Sequence, residues 1–173
     1  MNTHLHPGTA LITGASSGIG AVYADRLARS GYDLILVARR ADRLRALAQD
    51  ITSRTGRSVE AVSADLLDAV DLAKVEMLLK RDASITMLVN NAGIGATGPL
   101  LESHIGDMER MIALNVNVPT RLAYAAAPAF VGRGRGTIIN IASVVALAPE
   151  LLNGVYGGSK AYLLALTQSL QHE

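Results

Sequence analysis

The stretch TGASSGIG at residues 13–20 joins a short apolar run, Thr9–Thr13, to a segment whose apolar residues have helical spacing, Gly18–Arg29. Its first glycine, Gly14, allows the chain to turn sharply, and the two later glycines leave room for other groups to approach the backbone. The start of the helix adds N–H groups and the positive end of its dipole. The stretch therefore predicts a strand, a phosphate-binding turn and a helix; the alternative is a plain tight turn.

The spacing of the glycines, G-x-x-x-G-x-G, differs from the G-x-G-x-x-G of the common dinucleotide-binding turn. The turn also lacks the lysine of nucleoside triphosphate loops, so a strand before it and a helix after it favour a dinucleotide. About 20 residues on, where NAD-binding chains carry a carboxylate, the sequence has Arg39 and Arg40. Two guanidinium groups can clamp a 2′-phosphate, which favours NADP(H) over NAD(H). The alternative is that they only solvate a helix start.

Apolar runs of strand length alternate with segments of helical periodicity along the whole chain. Strands are predicted at residues 9–13, 33–38, 58–63, 85–89 and 137–142. Helices are predicted at residues 18–29, 41–52, 68–81, 104–131 and 157–171. This alternation predicts an α/β fold, a parallel sheet with helices on both faces. In the third helix, Met77 and Leu78 are predicted to face inward.

The composition excludes several classes of protein. Apolar residues make up 50% of the 173 residues and the net charge is +1, so the chain is neither disordered nor charged enough to bind nucleic acid or an anionic membrane. There is no cysteine, and His4 and His6 lie near the chain end, so we expect no metal site. The first eight residues carry no apolar core of signal-peptide length, and we expect a cytoplasmic protein.

Four further positions carry side chains of catalytic type. Tyr156 and Lys160 are four residues apart, which places them on one face of a helix, one turn apart. Ser143 follows the fifth predicted strand, Asn115 lies in the long predicted helix, and Asn-Asn-Ala-Gly at residues 90–93 follows the fourth strand. Their order and spacing, taken with the glycine-rich turn, resemble the short-chain dehydrogenase/reductase family over nearly the whole chain.

The resemblance implies an oxidoreductase that interconverts a carbonyl and an alcohol, with Asn115, Ser143, Tyr156 and Lys160 as catalytic residues. Tyr156 would exchange a proton with the substrate oxygen, and a tyrosine that does so near neutral pH needs adjacent positive charge. Lys160 would supply that charge and bind the nicotinamide ribose, while Ser143 would polarise the substrate oxygen.

The resemblance also implies a Rossmann-like doubly wound sheet in three α/β/α layers, with residues 1–173 as a single dinucleotide-binding domain. The expected cofactor-binding residues are Gly14, Ser16, Ser17, Gly18, Ile19, Gly20, Arg39, Arg40, Asp65, Leu66, Asn91, Ala92, Gly93, Tyr156 and Lys160. The expected partner is a small carbonyl or alcohol substrate, without nucleic acid or membrane. Association into a dimer or tetramer would use the long helix and the last helix. Asn90 is better explained as a buried amide that ties two strands together.

Asn115 stands four residues before Pro119. Proline has no N–H, so the Asn115 carbonyl cannot receive its usual intrahelical hydrogen bond, and we predict a kink there. In the family, an asparagine at this position joins a water-mediated proton relay to the lysine. The alternative is a plain kink with Asn115 exposed.

Three features near the end of the chain qualify the resemblance. The apolar stretch at residues 144–152 is interpreted either as a wall of an apolar substrate pocket or as packing under the last helix. Gly157 and Gly158 follow Tyr156 where family members usually carry a side chain, which would loosen that helix. Family members continue beyond this helix, so we expect either a chain truncated at its C-terminus or part of a longer protein, in both cases without the last strands and the substrate-covering loop. The alternative function is a truncated, non-catalytic NADP-binding module or sensor.

Overall fold

The computed structural model describes residues 6–148, 150 and 154–172, and its framework is a five-stranded parallel sheet. The strands are β1 (Thr9–Thr13), β2 (Asp33–Ala38), β3 (Val59–Ser63), β4 (Ile85–Asn90) and β5 (Thr137–Asn140). Their order across the sheet is β3-β2-β1-β4-β5, and every neighbouring pair is parallel. The order reverses at β1, so the carboxyl ends of β1 and β4 border a crevice of the kind that binds ligands in doubly wound sheets.

In the part of the chain that the structure describes, six α-helices connect and cover these strands. They are α1 (Gly18–Arg29), α2 (Ala41–Thr55), α3 (Ala69–Arg81), α4 (Ile105–Ile112), α5 (Val118–Gly132) and α6 (Gly154–Leu170). A π-helical turn, Ala113–Asn117, joins α4 to α5. Short 3₁₀ turns at Leu100–Glu102 and Val144–Ala146 follow β4 and β5. Within the described ranges, no helix is both long and apolar enough to cross a membrane.

The core occupies both faces of the sheet, which confirms the predicted three-layer α/β/α architecture. Ala24 of α1 and Leu44 of α2 pack on one face with Ile12. Val75 of α3 and Leu122 of α5 pack on the other face. All residues of β1 and β4 are buried, as expected for strands covered on both sides.

Two predicted features differ from the structure. Met77 is 43% exposed; α3 instead buries Leu72, Val75 and Leu79, a stripe with i, i+3, i+7 spacing. The long helix predicted at residues 104–131 consists of α4, the π turn and α5. Pro119 accounts for the interruption of the α-helix, because its nitrogen has no N–H to donate to the carbonyl four residues earlier. The wider π turn accommodates this missing hydrogen bond.

Candidate active site

The glycine-rich turn is held against the chain that leaves β4. The side-chain amide of Asn91 donates hydrogen bonds to the carbonyls of Thr13 (2.8 Å) and Gly14 (3.2 Å). The Thr13 hydroxyl accepts the backbone N–H groups of Asn91 and Ala92, each at 3.0 Å. A Cβ at Gly20 would lie 2.5 Å from the Asn91 amide nitrogen, so this position has room only for glycine. The two segments that border the crevice therefore form one rigid unit.

Between these segments and β2–β3 lies a cleft of about 460 Å³. Ten of the expected cofactor-binding residues line it: Gly14, Ser16, Ser17, Arg39, Arg40, Asp65, Leu66, Asn91, Ala92 and Gly93. The lining does not include Gly18, Ile19, Gly20, Tyr156 or Lys160. Gly18 and Ile19 are exposed on the outer side of α1, and Gly20 packs beneath the turn. The structure thus gathers most, but not all, of the predicted set around one cavity.

The cleft carries more positive than negative charge. Arg40 Nη2 donates to the hydroxyls of Ser17 at 3.0 Å and Ser16 at 3.3 Å, so the end of β2 reaches the glycine-rich turn. Arg110 of α4, which the sequence analysis missed, also lines the cleft. Within the described residues its guanidinium has no ion pair or hydrogen bond. Three arginines thus face a cleft with a single carboxylate in its lining, that of Asp65, which suits an anionic ligand.

Asn115 lies at the centre of the π turn and is 1% exposed. Its amide nitrogen donates to the carbonyl of Ile94 at 2.8 Å, and its amide oxygen accepts the N–H of Ile94 at 3.0 Å. The same nitrogen donates to the hydroxyl of Ser159 on α6 at 3.0 Å. The alternative of an exposed Asn115 is therefore wrong. The side chain connects the segment after β4 to the helix that carries Tyr156 and Lys160.

Lys160 is buried, and its Nζ donates to the carbonyl of Ile141 at 2.8 Å. Burial lowers the pKa of Lys160, because removal of water penalises the charged ammonium. The ammonium also lies 6.0 Å from the centre of the Tyr156 ring, as the four-residue separation on α6 predicts. A lysine held in this way presents a fixed cation beside a tyrosine.

Gly93 and Gly95 connect the cleft to this pair. A Cβ at Gly93, which lines the cleft, would lie 3.0 Å from the Asn115 amide oxygen and 3.5 Å from Lys160 Nζ. A Cβ at Gly95 would lie 3.5 Å from two carbons of the Tyr156 ring. The cleft and the Asn115–Tyr156–Lys160 group therefore meet at the segment that follows β4.

Ser143 lies just beyond β5, two residues after the carbonyl that holds Lys160. Its hydroxyl accepts the N–H of Val145 at 3.5 Å and so caps the 3₁₀ turn Val144–Ala146. In the apolar stretch at residues 144–152, Val145 is buried, whereas Val144 and Leu147 are exposed. Positions 149, 151 and 152 of that stretch lie outside the described residues. The described part thus combines one packing residue with two exposed apolar side chains next to Ser143.

Two side chains beside the catalytic candidates were not found from the sequence. Ser159 accepts from Asn115 and donates to the carbonyl of Tyr156 at 2.8 Å. Asn140, at the end of β5, accepts the amide of Asn90 at 2.9 Å and donates to the hydroxyl of Thr167 at 2.9 Å. The hydrogen bond from Asn90 to Asn140 agrees with the interpretation of Asn90 as a buried amide that ties two strands together. No spacing rule marks Ser159 or Asn140, since their partners are distant in the chain.

Comparison with known proteins decides the family. The family model for short chain dehydrogenases matches residues 8–173. The chain belongs to the short-chain dehydrogenase/reductase family. Among curated relatives, a very-long-chain 3-oxoacyl-CoA reductase of Coccidioides immitis is 37% identical over 169 residues, which are 95% of this chain and 48% of that protein. Human 17-beta-hydroxysteroid dehydrogenase type 3 is 34% identical over 170 residues, 95% of this chain and 53% of that protein.

Solved structures of the family are similar over nearly the whole chain. The bulky-bulky ketone specific alcohol dehydrogenase from Comamonas testosteroni has a TM-score of 0.93 and 46% identity, with 96% of this chain and 67% of that chain covered. A short-chain dehydrogenase from Sphingobium yanoikuyae in complex with NADPH has a TM-score of 0.92 and 52% identity, with 94% and 64% covered. The chain thus spans about half the length of the two curated relatives and about two thirds of these family structures.

Proposed function

We propose that this family member is an NADP(H)-dependent oxidoreductase that interconverts a carbonyl and an alcohol on an apolar small molecule. The proposal rests on one observation: the two parts of the site lie next to each other at Gly93. One part is a cleft lined by the glycine-rich turn. The other is the Tyr156–Lys160 pair, with its ammonium 6.0 Å from the ring centre. The relatives named above are reductases and dehydrogenases, which supports this chemistry.

The residues of the cleft fit a dinucleotide. Gly14 has a left-handed φ of 65°, and a Cβ there would lie 2.8 Å from the Ala92 Cα, so the turn keeps its backbone close to the segment after β4. Helix α1 begins here without an acidic residue in its first turn, and the Ser17 side chain does not cap it. Its first N–H groups and its dipole therefore suit a pyrophosphate. We propose that residues 1–173 act as a single dinucleotide-binding domain.

The arginines of the cleft favour a cofactor with a 2′-phosphate. Arg39 and Arg40 occupy the end of β2, where a carboxylate would favour the ribose hydroxyls of NAD. Guanidinium groups form charge-assisted pairs with phosphate, and Arg40 is already held by Ser16 and Ser17. The Sphingobium structure holds NADPH, and an L-sorbose reductase structure from Gluconobacter frateurii, 33% identical, also holds NADPH.

When bound, NADP(H) would supply the hydride in reduction and accept it in oxidation. Tyr156 donates its hydroxyl proton to the carbonyl oxygen as the carbonyl carbon gains the hydride, and it takes the proton back when the alcohol is oxidised. Lys160, which donates to the Ile141 carbonyl, holds a cation beside Tyr156 that stabilises the phenolate left after proton donation, and it would bind the nicotinamide ribose. Ser143 donates a hydrogen bond to the substrate oxygen and polarises it.

Asn115 contributes through position. Its side chain is occupied by Ile94 and Ser159, so it holds the segment after β4 and α6 at a fixed separation. Pro119 has no N–H to donate to the backbone carbonyl of Asn115. We propose that this carbonyl binds a water molecule that conducts protons to Lys160.

Apolar side chains near Ser143 favour an apolar substrate. Val144, in the 3₁₀ turn that Ser143 caps, is 70% exposed, and Leu147, which follows that turn, is 78% exposed. Three of the relatives act on molecules of this kind by name: bulky ketones, hydroxysteroids and very-long-chain 3-oxoacyl-CoA. We extend that class, a carbonyl with bulky apolar groups, to this chain.

We also propose association with further copies of the chain through α5 and α6. Tyr124 and Val131 on α5 are 78% and 75% exposed, which is high for side chains of this size. Light scattering over a range of protein concentrations tests this, and a mass that stays monomeric throughout rejects it.

The catalytic assignment is tested with Tyr156→Phe. We expect turnover of a bulky ketone, followed by NADPH absorbance, to fall at least about 10³-fold, because the proton donor of the reaction is lost. Binding of NADPH, followed by its fluorescence, should change little. The matched control is Tyr162→Phe, which removes a hydroxyl from the same helix that is bonded to Thr120 at 2.8 Å.

Turnover that survives in Tyr156→Phe would remove Tyr156 from its proposed role. If the wild-type chain binds NADPH but turns over none of a panel of ketones and alcohols, the non-catalytic binding module replaces the oxidoreductase as the conclusion.

The cofactor assignment is tested with Arg40→Ala. We expect the Kd for NADPH to rise about 10- to 100-fold, the effect of losing a charged hydrogen bond of about 1.5–3 kcal/mol. The Kd for NADH should change less than about threefold. Arg45→Ala, which removes an exposed arginine of α2 outside the cleft lining, is the control. Equal losses for both cofactors would contradict a role for Arg40 in binding the 2′-phosphate.

A further inference from the structure

A line of side-chain hydrogen bonds runs from β4 across β5 to α6. Asn90 and Asn140 are directly opposite in the parallel register of β4 and β5. The amide of Asn90 donates to the Asn140 oxygen, and the Asn140 amide donates to the Thr167 hydroxyl, both at 2.9 Å. Both functional groups of the Asn140 side chain are therefore used, one toward the sheet and one toward the helix.

The peptide that follows Asn140 is the one that holds Lys160. The N–H of Ile141 donates to the carbonyl of Asn90 at 2.9 Å. The carbonyl of Ile141 accepts Lys160 Nζ at 2.8 Å. Among the described residues, β5 pairs with β4 alone, so the sheet restrains this end of β5 from one side. The contact from Asn140 to Thr167 restrains it from the side of α6.

Thr167 is oriented to receive this contact. Its hydroxyl donates its one proton to the carbonyl of Leu163 at 2.7 Å, which leaves the oxygen lone pairs for the Asn140 amide. Thr167 lies seven residues after Lys160, two helical turns further along the same face of α6. Helix α6 thus meets the end of β5 at two points, Lys160 at Ile141 and Thr167 at Asn140.

We propose that Asn140 and Thr167 are positioning residues that fix α6 on β5 and so keep the Ile141 carbonyl within reach of the Lys160 ammonium. The role of Lys160 in turnover rests on the proposed function, but the contact itself does not. Loss of the Asn140–Thr167 hydrogen bond lets the end of β5 and the helix move apart. Lys160 then spends less time bonded to its acceptor, and its charged form is less stable.

The test is the titration of Lys160 in the whole chain, followed by NMR of ¹³Cε-labelled lysine. The chain has three lysines, Lys74, Lys80 and Lys160, so the spectrum has three signals, two of them internal references. Thr167→Val keeps the shape of the side chain and removes the acceptor. We expect the Lys160 midpoint to fall in this variant and to return toward the wild-type value in Thr167→Ser. Asn140→Ala provides a second variant, with the same expected fall, should Thr167→Val fold poorly.

Thr120→Val is the matched control, because it removes a different side-chain contact to α6, the 2.8 Å hydrogen bond to Tyr162. The Lys160 midpoint should stay at its wild-type value in this control. An unchanged midpoint in folded Thr167→Val overturns the proposal, as does an equal fall in Thr120→Val, which would indicate general loosening of α6.

Turnover provides the second measurement. We expect kcat to fall about 3- to 10-fold in Thr167→Val, the effect of losing one hydrogen bond, with recovery in Thr167→Ser. The KM for the ketone should change less than kcat, because Asn140 and Thr167 act through Lys160. If the wild-type chain shows no turnover, the proposed function fails, while the NMR titration still decides whether Asn140 and Thr167 position Lys160. A fall in the Lys160 midpoint without any fall in kcat would contradict the link to catalysis.

Discussion

The two ends of the site are built by different means. At the cofactor end, side-chain hydrogen bonds hold the glycine-rich turn to the segment after β4, and the missing side chains of Gly14 and Gly20 leave room for that contact. At the catalytic end, polar side chains set the geometry: Asn115 bonds to Ile94 and Ser159, and Lys160 bonds to the Ile141 carbonyl. The first end is thus expected to be the more sensitive to added atoms, and the second to lost hydrogen bonds.

The largest loss of folding stability is expected from Gly20→Ala at the cofactor end. The added Cβ would lie 2.5 Å from the Asn91 amide nitrogen and 2.6 Å from the Gly14 carbonyl oxygen, and the latter is backbone that cannot move aside. We expect a loss of about 3 kcal/mol in the free energy of unfolding, measured by urea denaturation. Gly18→Ala is the control: its Cβ meets no atom within 4 Å, so only the strain of its φ of 58°, about 1 kcal/mol, remains. Equal losses in the two variants would show that crowding does not govern this end.

A smaller loss is expected from Asn115→Ala at the catalytic end. The buried amide makes three hydrogen bonds, and its removal leaves the Ile94 backbone without a partner. We expect a loss of about 2 kcal/mol in urea denaturation. Asn117→Ala removes an exposed asparagine from the same π turn and should change stability by less than about 0.5 kcal/mol. A loss in Asn115→Ala no larger than in Asn117→Ala would mean that these bonds contribute nothing to this end.

The smallest expected change is a gain in folding stability from Gly158→Ala. Gly158 lies inside α6 because the helix begins at Gly154, and a Cβ there meets no atom within 4 Å. Replacing a helical glycine with alanine restricts the unfolded chain, so the midpoint of thermal unfolding should rise by the equivalent of about 0.5–1 kcal/mol. A lowered midpoint would show that glycine is required here, and that the catalytic end also depends on missing side chains.

Strands were easier to predict than helix faces. Residues 10–12 and 34–38 are uninterrupted apolar runs bounded by polar residues, and the structure has β1 and β2 at the predicted bounds, residues 9–13 and 33–38. Met77 is apolar but lies beside the stripe of Leu72, Val75 and Leu79, which already covers the core. A single apolar residue beside a complete stripe does not change which face of a helix packs inward.

At the site, the predictable residues were those in recognisable spacings. The glycine-rich turn and the Tyr156–Lys160 pair depend on separations within one element, and the geometry around them agrees with the local predictions. Arg110 and Thr167 could not be predicted, because each reaches the site from a helix whose local sequence contains no motif that marks it. Their proximity to the site arises from the packing of elements that are far apart in the chain, which no local spacing encodes.

The π turn before α5 has a consequence for the far side of the molecule. A π-helical turn holds about one more residue than an α-helical turn, which rotates every later side chain by about 100° relative to an uninterrupted helix. Arg121, four residues beyond the turn, meets Glu76 of α3 at 2.6 Å because of that rotation. Pro119 therefore sets the angular phase between α4 and α5, since an uninterrupted α-helix over the same residues would place Arg121 about a quarter turn away from the Glu76 carboxylate.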